Sequence, residues 1–185
     1  LAENPETDPE PVNVALRQLA RIESNLRQFL DLGKPPATER QPCDLAGIIE
    51  QVVSLARAQC QHAGTRLLWR APAEQCVIAG DATQLCHLFA NVIGNAIEAA
   101  GPGGEVAVSL RGADGGKGFA IAVEDTGPGP PPEISERLFE PFVSGKEQGI
   151  GLGLAVARQA VEAHGGTIAW ERRGDRTVFR IELPG

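Results

Sequence analysis

Near the start of the chain, apolar residues recur at spacings of four and three. Val12, Leu16, Leu19, Leu26 and Leu30 form a stripe that Glu23 interrupts and that Ile22 and Phe29 widen on one side. This heptad character predicts an amphipathic helix over 12–33, ended by Gly33 and kept from continuing by Pro35 and Pro36. A lone helix of this length is marginal in water, so its stripe needs a cover. The adjacent domain is one candidate; a second helix in a hairpin or dimer bundle is the other, and heptad spacing favours it. Residues 1–11 are acidic, carry three prolines and read as a loop or disordered tail.

After Pro42 the pattern becomes that of a compact domain. Asp44 is placed to N-cap a helix over about 45–62, with Ile48, Val52 and Leu55 on one face. Segments 65–71 and 75–78 read as short strands separated by a Pro-containing turn. Asp81 caps a second long helix that runs to about Ala100 and stops at Gly101-Pro102-Gly103-Gly104. Segments 106–111 and 119–124 alternate about a Gly-rich turn, as in a hairpin. A Gly- and Pro-rich loop fills 125–149, a third helix spans about 150–164, and strands 167–172 and 177–183 form a second hairpin. Strands and helices that do not alternate as βαβ units predict an α+β fold. It is a two-layer α/β sandwich, a mixed sheet covered on one face by three helices and preceded by the long amphipathic helix.

Composition narrows the options. Of 185 residues, 42% are hydrophobic and 22% charged, enough for one domain with a real core plus an appendage. A formal net charge of −7 argues against a nucleic-acid partner, which needs a basic face. No apolar run approaches the ~18 residues that span a bilayer, and no signal peptide opens the chain. A cytoplasmic location is expected, with membrane anchoring of a longer parent left open. The absence of Met and the start at Leu1 favour a segment of a longer protein. Cys43, Cys60, Cys76 and Cys86 form no CxxC pair, and Cys60 and His62 with Cys86 and His87 fit no common zinc spacing, so buried small apolar roles are expected.

Four segments carry candidate chemistry. Asn91 and Asn95 lie four apart on the second long helix, so both leave one face. Their amide oxygens are neutral hard ligands, suited to Mg²⁺ when a triphosphate supplies the negative charge. Glu124-Asp-Thr-Gly-Pro-Gly129 follows an apolar strand and stands Asp125 at its end, where a carboxylate can accept a hydrogen bond from a base amino group. Gly127 and Gly129 would let backbone pass close to a flat ligand. Gly149-Ile-Gly-Leu-Gly-Leu154 opens the third helix, and a Gly-rich helix N-terminus is a ready phosphate site. A dinucleotide-binding reading fails on context, since no parallel βαβ unit surrounds these glycines. Leu138-Phe-Glu-Pro-Phe142 could hinge a flap from which Lys146 reaches a terminal phosphate.

Singly these segments are weak, but their order and spacing resemble the N, G1, F and G2 boxes of the ATP-binding domain of sensor histidine kinases, gyrase, heat-shock chaperones and mismatch-repair ATPases. The short flap with its lysine and the ending His164-Gly-Gly-Thr look like the sensor kinases. Phe29-Leu-Asp-Leu-Gly-Lys-Pro35 resembles the end of the second helix of their dimerisation hairpin, making 12–36 a partial dimerisation domain and 37–185 the catalytic domain. The resemblance implies that Asn95, together with Asn91, coordinates Mg²⁺ and that Asp125 binds the adenine amino group of ATP, with room made by Gly127 and Gly129. It implies that Gly149, Gly151, Leu152, Gly153 and Leu154 turn the backbone toward the triphosphate. Lys146 and Asn91 are the implied catalytic residues, and the chemistry is in-line phosphoryl transfer.

The hydrolysing members of that superfamily carry a Glu four residues before the Mg²⁺-binding Asn. Asn91 stands there and cannot take a proton at neutral pH, so the chain is expected to hold ATP for another nucleophile. None of His62, His87 and His164 is followed by the acidic residue that marks a phosphoacceptor, although His87 could touch the nucleotide edge. The implied partners are an acceptor helix of the same kinase, in a homodimeric full protein, and a downstream response regulator. A non-catalytic nucleotide-binding signalling module stays open as the alternative.

Overall fold

Two aspartates start the long helices. Asp44 Oδ1 accepts from the Ala46 N–H at 3.1 Å and opens α1 (Leu45–Ala63). Asp81 Oδ1 accepts from the N–H groups of Thr83 (2.8 Å) and Gln84 (3.1 Å) and opens α2 (Ala82–Ala100). In this computed structural model residues 40–113, 116, 118–146 and 149–185 are described. The expected tail 1–11 and helix 12–33 lie outside them.

A short strand, β1 (Gln41–Asp44), leads into α1, and β2 (Arg66–Arg70) follows it. Next come β3 (Val77–Gly80), α2, and the hairpin β4 (Glu105–Gly112) and β5 (Phe119–Asp125). One turn of helix, α3 (Pro132–Ser135), precedes α4 (Gly153–Ala163), and β6 (Thr167–Arg173) and β7 (Arg176–Leu183) close the chain. Five strands form one sheet in the order β2-β4-β5-β7-β6, with β2 parallel to β4 and the other pairs antiparallel. The sheet is mixed and helices pack on it, the α+β architecture expected.

The register explains the core. Val108 pairs with Val123 and Val123 with Phe179; Leu110 pairs with Ile121 and Ile121 with Ile181. All six are buried, so they form an apolar row facing the helices. From α2, Leu85, Leu88, Phe89, Val92, Ile93, Ala96 and Ile97 bury one face in the same core. Ala157, Ala160 and Val161 of α4 do the same.

Four expectations shift. The strand expected at 75–78 is β3 at 77–80, and it pairs with β1. β1 itself lacks a sequence signal, because four residues containing Pro42 carry no alternation to read. The third helix starts at Gly153 rather than 150, and the loop 125–149 contains α3. Leu55, expected on the buried face with Ile48 and Val52, is 74% exposed. Across from it α2 presents Ala90 and Gly94, which are too short to cover it, leaving a groove of about 310 Å³ between α1 and α2.

Candidate nucleotide site

Asp125 occupies an inward position at the end of the sheet's core row. It pairs with Val106 on one side and Thr177 on the other, and both it (1% exposed) and Thr177 are buried. The Gly127 N–H donates to its Oδ1 at 2.8 Å. Burial pushes the carboxyl above the ordinary range, against the smaller opposing effects of that N–H and of Arg172 and Arg176.

Two neighbours had no sequence signal of their own. Arg172 donates to the Gly127 carbonyl (2.6 Å), to Thr177 Oγ1 (2.9 Å) and to the Asp175 carbonyl (2.8 Å). It thereby ties the loop after β5 to the β6–β7 hairpin. Only the cross-strand pairing of Asp125 with Thr177 and of Arg172 with Thr177 reveals this, and pairing is not written in one strand's residues.

Gly127 has a structural reason beyond the room for a base expected of it. A Cβ there would stand 2.5 Å from the Ala99 carbonyl oxygen on α2 and 2.8 Å from Asp125 Oδ1. The loop therefore lies directly on α2, four residues past Asn95 on the same helical face. Gly129 follows beneath Arg172 and Thr177. Asn91 and Asn95 are half-buried on that face of α2. Lys146, 51 residues away in sequence from Asn95, donates from Nζ to Asn95 Oδ1 at 3.0 Å and also to Glu98 Oε2. Lys146 thus reaches Asn95, and the loop that follows Asp125 packs on Ala99 of the same helix.

The flap carrying Lys146 has a fixed base. Phe139 meets the buried Phe179 edge-to-face at 6.4 Å, and Trp170 Nε1 donates to the Ser135 carbonyl at 3.1 Å. Phe142, at φ +66° and 64% exposed, donates its N–H to the Gly151 carbonyl at 3.0 Å. Gly151 has φ +73°, and a Cβ on it would overlap the Val143 backbone. Gly149 lies against Ser144, whose Oγ accepts from the Lys146 N–H at 3.1 Å. Beyond them Leu152 is buried, Leu154 half-buried, and α4 begins at Gly153 without a side-chain cap. Among the described residues no side chain caps it, unlike the helices opened by Asp44 and Asp81.

The histidines have other surroundings. His62 Nδ1 bonds to the Ala58 carbonyl at 2.8 Å. His164 is buried, with its Nε2 accepting from the Asp81 N–H at 3.0 Å. That geometry puts the ring proton on Nδ1, which reaches the Ala160 carbonyl at 2.7 Å. His87 lines the groove between α1 and α2, where Asn91 and Asn95 are absent from the lining. Cys43, Cys60 and Cys76 are buried and Cys86 half-buried, all as free thiols. Burial raises the thiol pKa of Cys60, Cys76 and Cys86. Among the described residues no helix is long and apolar enough to cross a membrane.

Residues 80–185 match the family of histidine kinase-, DNA gyrase B- and HSP90-like ATPases. The sensory histidine kinase/phosphatase NtrB of Rhodobacter capsulatus is 44% identical over 116 residues, covering 57% of this chain and 33% of that protein. Sporulation kinase E of Bacillus subtilis is 34% identical over 173 residues, 93% of this chain and 23% of its own length. The chain therefore spans a third or less of these relatives. The catalytic domain of the histidine kinase ThkA superposes with a TM-score of 0.72 at 30% identity, covering 80% of this chain and 96% of that one. ThkA in complex with the response regulator TrrA gives 0.77 at 27% identity, over 99% of this chain and 53% of that one. The chain belongs to the histidine kinase-, gyrase B- and HSP90-like ATPase family, and within it is an ATP-binding catalytic domain of the sensor histidine kinase type.

Proposed function

We propose that this chain holds MgATP on the face of α2 shared by Asn91, Asn95 and Ala99 and transfers the γ-phosphoryl group to a histidine outside this sequence. The observation that carries the reading is that Lys146 reaches Asn95 on that face while the loop following the buried Asp125 packs on Ala99 of the same helix. Asp125 keeps Oδ1 on the Gly127 N–H and has its second oxygen for the adenine amino group. Gly129 lies against Thr177, the cross-strand neighbour of Asp125, and the uncapped start of α4 with Gly149, Gly151, Leu152, Gly153 and Leu154 takes the phosphates. Lys146 serves the terminal phosphate as a point charge.

Asn95 Oδ1 already accepts from a cationic donor, as a Mg²⁺ ligand must. Among the described residues no three His, Cys, Asp or Glu side chains could hold a metal alone, so phosphate oxygens and water complete the set. Bound MgATP supplies the phosphoryl group and its charge neutralisation. Transfer forms a bond from imidazole nitrogen to phosphorus and breaks the bond to the β–γ bridging oxygen, with ADP leaving. Asn91 beside the metal ligand cannot deprotonate water, which favours kinase over hydrolase. We also assign 12–33 to one arm of a dimerisation hairpin, with a homodimer and a response regulator as partners of the full protein.

Labelled ATP tests this. The 185-residue chain alone should take up no label. It should pass acid-labile label to the dimerisation hairpin of a related kinase bearing its acceptor histidine. Label on the chain's own histidines, or steady release of free phosphate without acceptor, would overturn the assignment. Nucleotide binding without transfer to any acceptor would establish the non-catalytic signalling module instead.

A further inference from the structure

The amine of Lys146 sits between two oxygens of α2, Asn95 Oδ1 at 3.0 Å and Glu98 Oε2, three residues apart on one face. An amide and a carboxylate converging on one positive centre make a cation site, and here an ammonium fills it. The lysine and glutamate side chains are 46% and 56% exposed, so solvent screens the pair and separating it costs little. The nucleotide reading asks two things that this arrangement withholds. Asn95 must give its oxygen to Mg²⁺, and Lys146 must leave for the terminal phosphate. One exchange achieves both.

We propose that Asn95 and Glu98 form an exchange site, holding the Lys146 ammonium when empty and the nucleotide's Mg²⁺ when filled, with Glu98 as the residue that makes binding metal-dependent. The inference rests on the reading of Asn95 and Lys146 given above. Once Lys146 departs, Glu98 faces the phosphates as a bare like charge unless a dication lies between them. Glu98 therefore disfavours metal-free nucleotide and favours the magnesium form. It also latches the flap to α2 through Lys146 in the empty protein, so metal arrival and flap release become one event. Hard oxygen donors of this kind suit Mg²⁺, which keeps most of its remaining positions for phosphate and water.

The test compares the wild-type chain with Glu98→Gln by calorimetric titration of ADP and ATP, in chelator and at stepped free Mg²⁺. Glu98→Gln keeps the size and exposure of the side chain, and an unchanged thermal midpoint checks that the fold is intact. The expected result is tighter metal-free binding in the variant and a gain on adding Mg²⁺ reduced about three- to fivefold, the scale of an exposed charge pair. Hydrogen exchange at Ser144–Lys146 in the empty protein should quicken in the variant. A variant with wild-type magnesium dependence, or with unchanged flap exchange, overturns the exchange site. A wild-type chain whose nucleotide binding ignores Mg²⁺ overturns the underlying magnesium reading instead.

Discussion

Replacing Asp125 with Asn should make the empty protein more stable while removing its nucleotide. The carboxylate is 1% exposed at the end of an apolar row, and burial raises its pKa despite the Gly127 N–H and the nearby arginines. A raised value means that the fold prefers the neutral form, which Asn imitates while its own Oδ1 can still accept from Gly127. The benefit is about 1 kcal/mol, the usual scale for relieving a partly compensated buried polar group. For a folded unit of this size that is about 3–4 °C in Tm. The sign with pH follows from linkage. A carboxyl whose folded value is raised favours the fold below its ordinary value of 3.8, and that contribution is lost as pH rises through the raised value. The gap between variant and wild type should therefore open as pH rises from 3.8 through the raised value and stay flat above it. Adding ADP at a hundred times its Kd should stabilise the wild type by about 2.7 kcal/mol, roughly 9 °C, and the variant by almost nothing. An amide NH₂ would face the adenine amino group, donor against donor. Scanning calorimetry with and without MgADP reads both effects. A variant less stable than wild type, or one still stabilised by MgADP, refutes the role given to Asp125.

Gly151→Ala should strain the flap, since φ +73° and the Val143 backbone both oppose a Cβ there. The cost is about 1–2 kcal/mol; it should appear as weaker ATP binding and faster exchange at Ser144–Lys146 rather than as a lower Tm, and wild-type affinity would contradict it. Glu105→Gln should flatten the acid limb of the stability curve. The Arg176 hydrogen bond, at 2.8 Å, holds the Glu105 carboxyl below its ordinary value of 4.5. Its contribution is present above that value and is lost as pH falls through the lowered one. Acid titration of Tm showing the same limb in both proteins would argue against it.

Much of this was legible in the sequence because the local signals agree with one another. Asp44 and Asp81 precede apolar periodicity and do cap helices, and the Gly101–Gly104 run does end α2. Residues joined across the sheet were not legible. Thr177 and Arg172 gain meaning only from their pairing beside Asp125, and β1 exists only because β3 offers it an edge. Leu55 shows the converse error, an apolar residue in phase with the core whose opposite partners, Ala90 and Gly94, are too small to bury it. The contact of Glu98 with Lys146 depends on how a flap folds back over 48 residues, which no spacing rule reaches.

The site residues divide by where the fold puts them, and the division decides what their loss should cost. Asn91, Asn95 and Glu98 stand on the face of α2 away from Leu85, Phe89, Val92 and Ala96, so the helix buries one side and works with the other. On the proposed reading, changing Asn91 or Asn95 should weaken MgADP binding while stability holds, because neither side chain belongs to the core. Asp125 and Thr177 instead continue the row formed by Val123 and Phe179. An apolar side chain at Asp125 would fit that row better than a carboxylate does. Its presence there is a local conflict of the kind that marks a functional position. Stability and binding are opposed at this point of the sheet, whereas on α2 they are independent, and the two thermal responses to MgADP separate the classes.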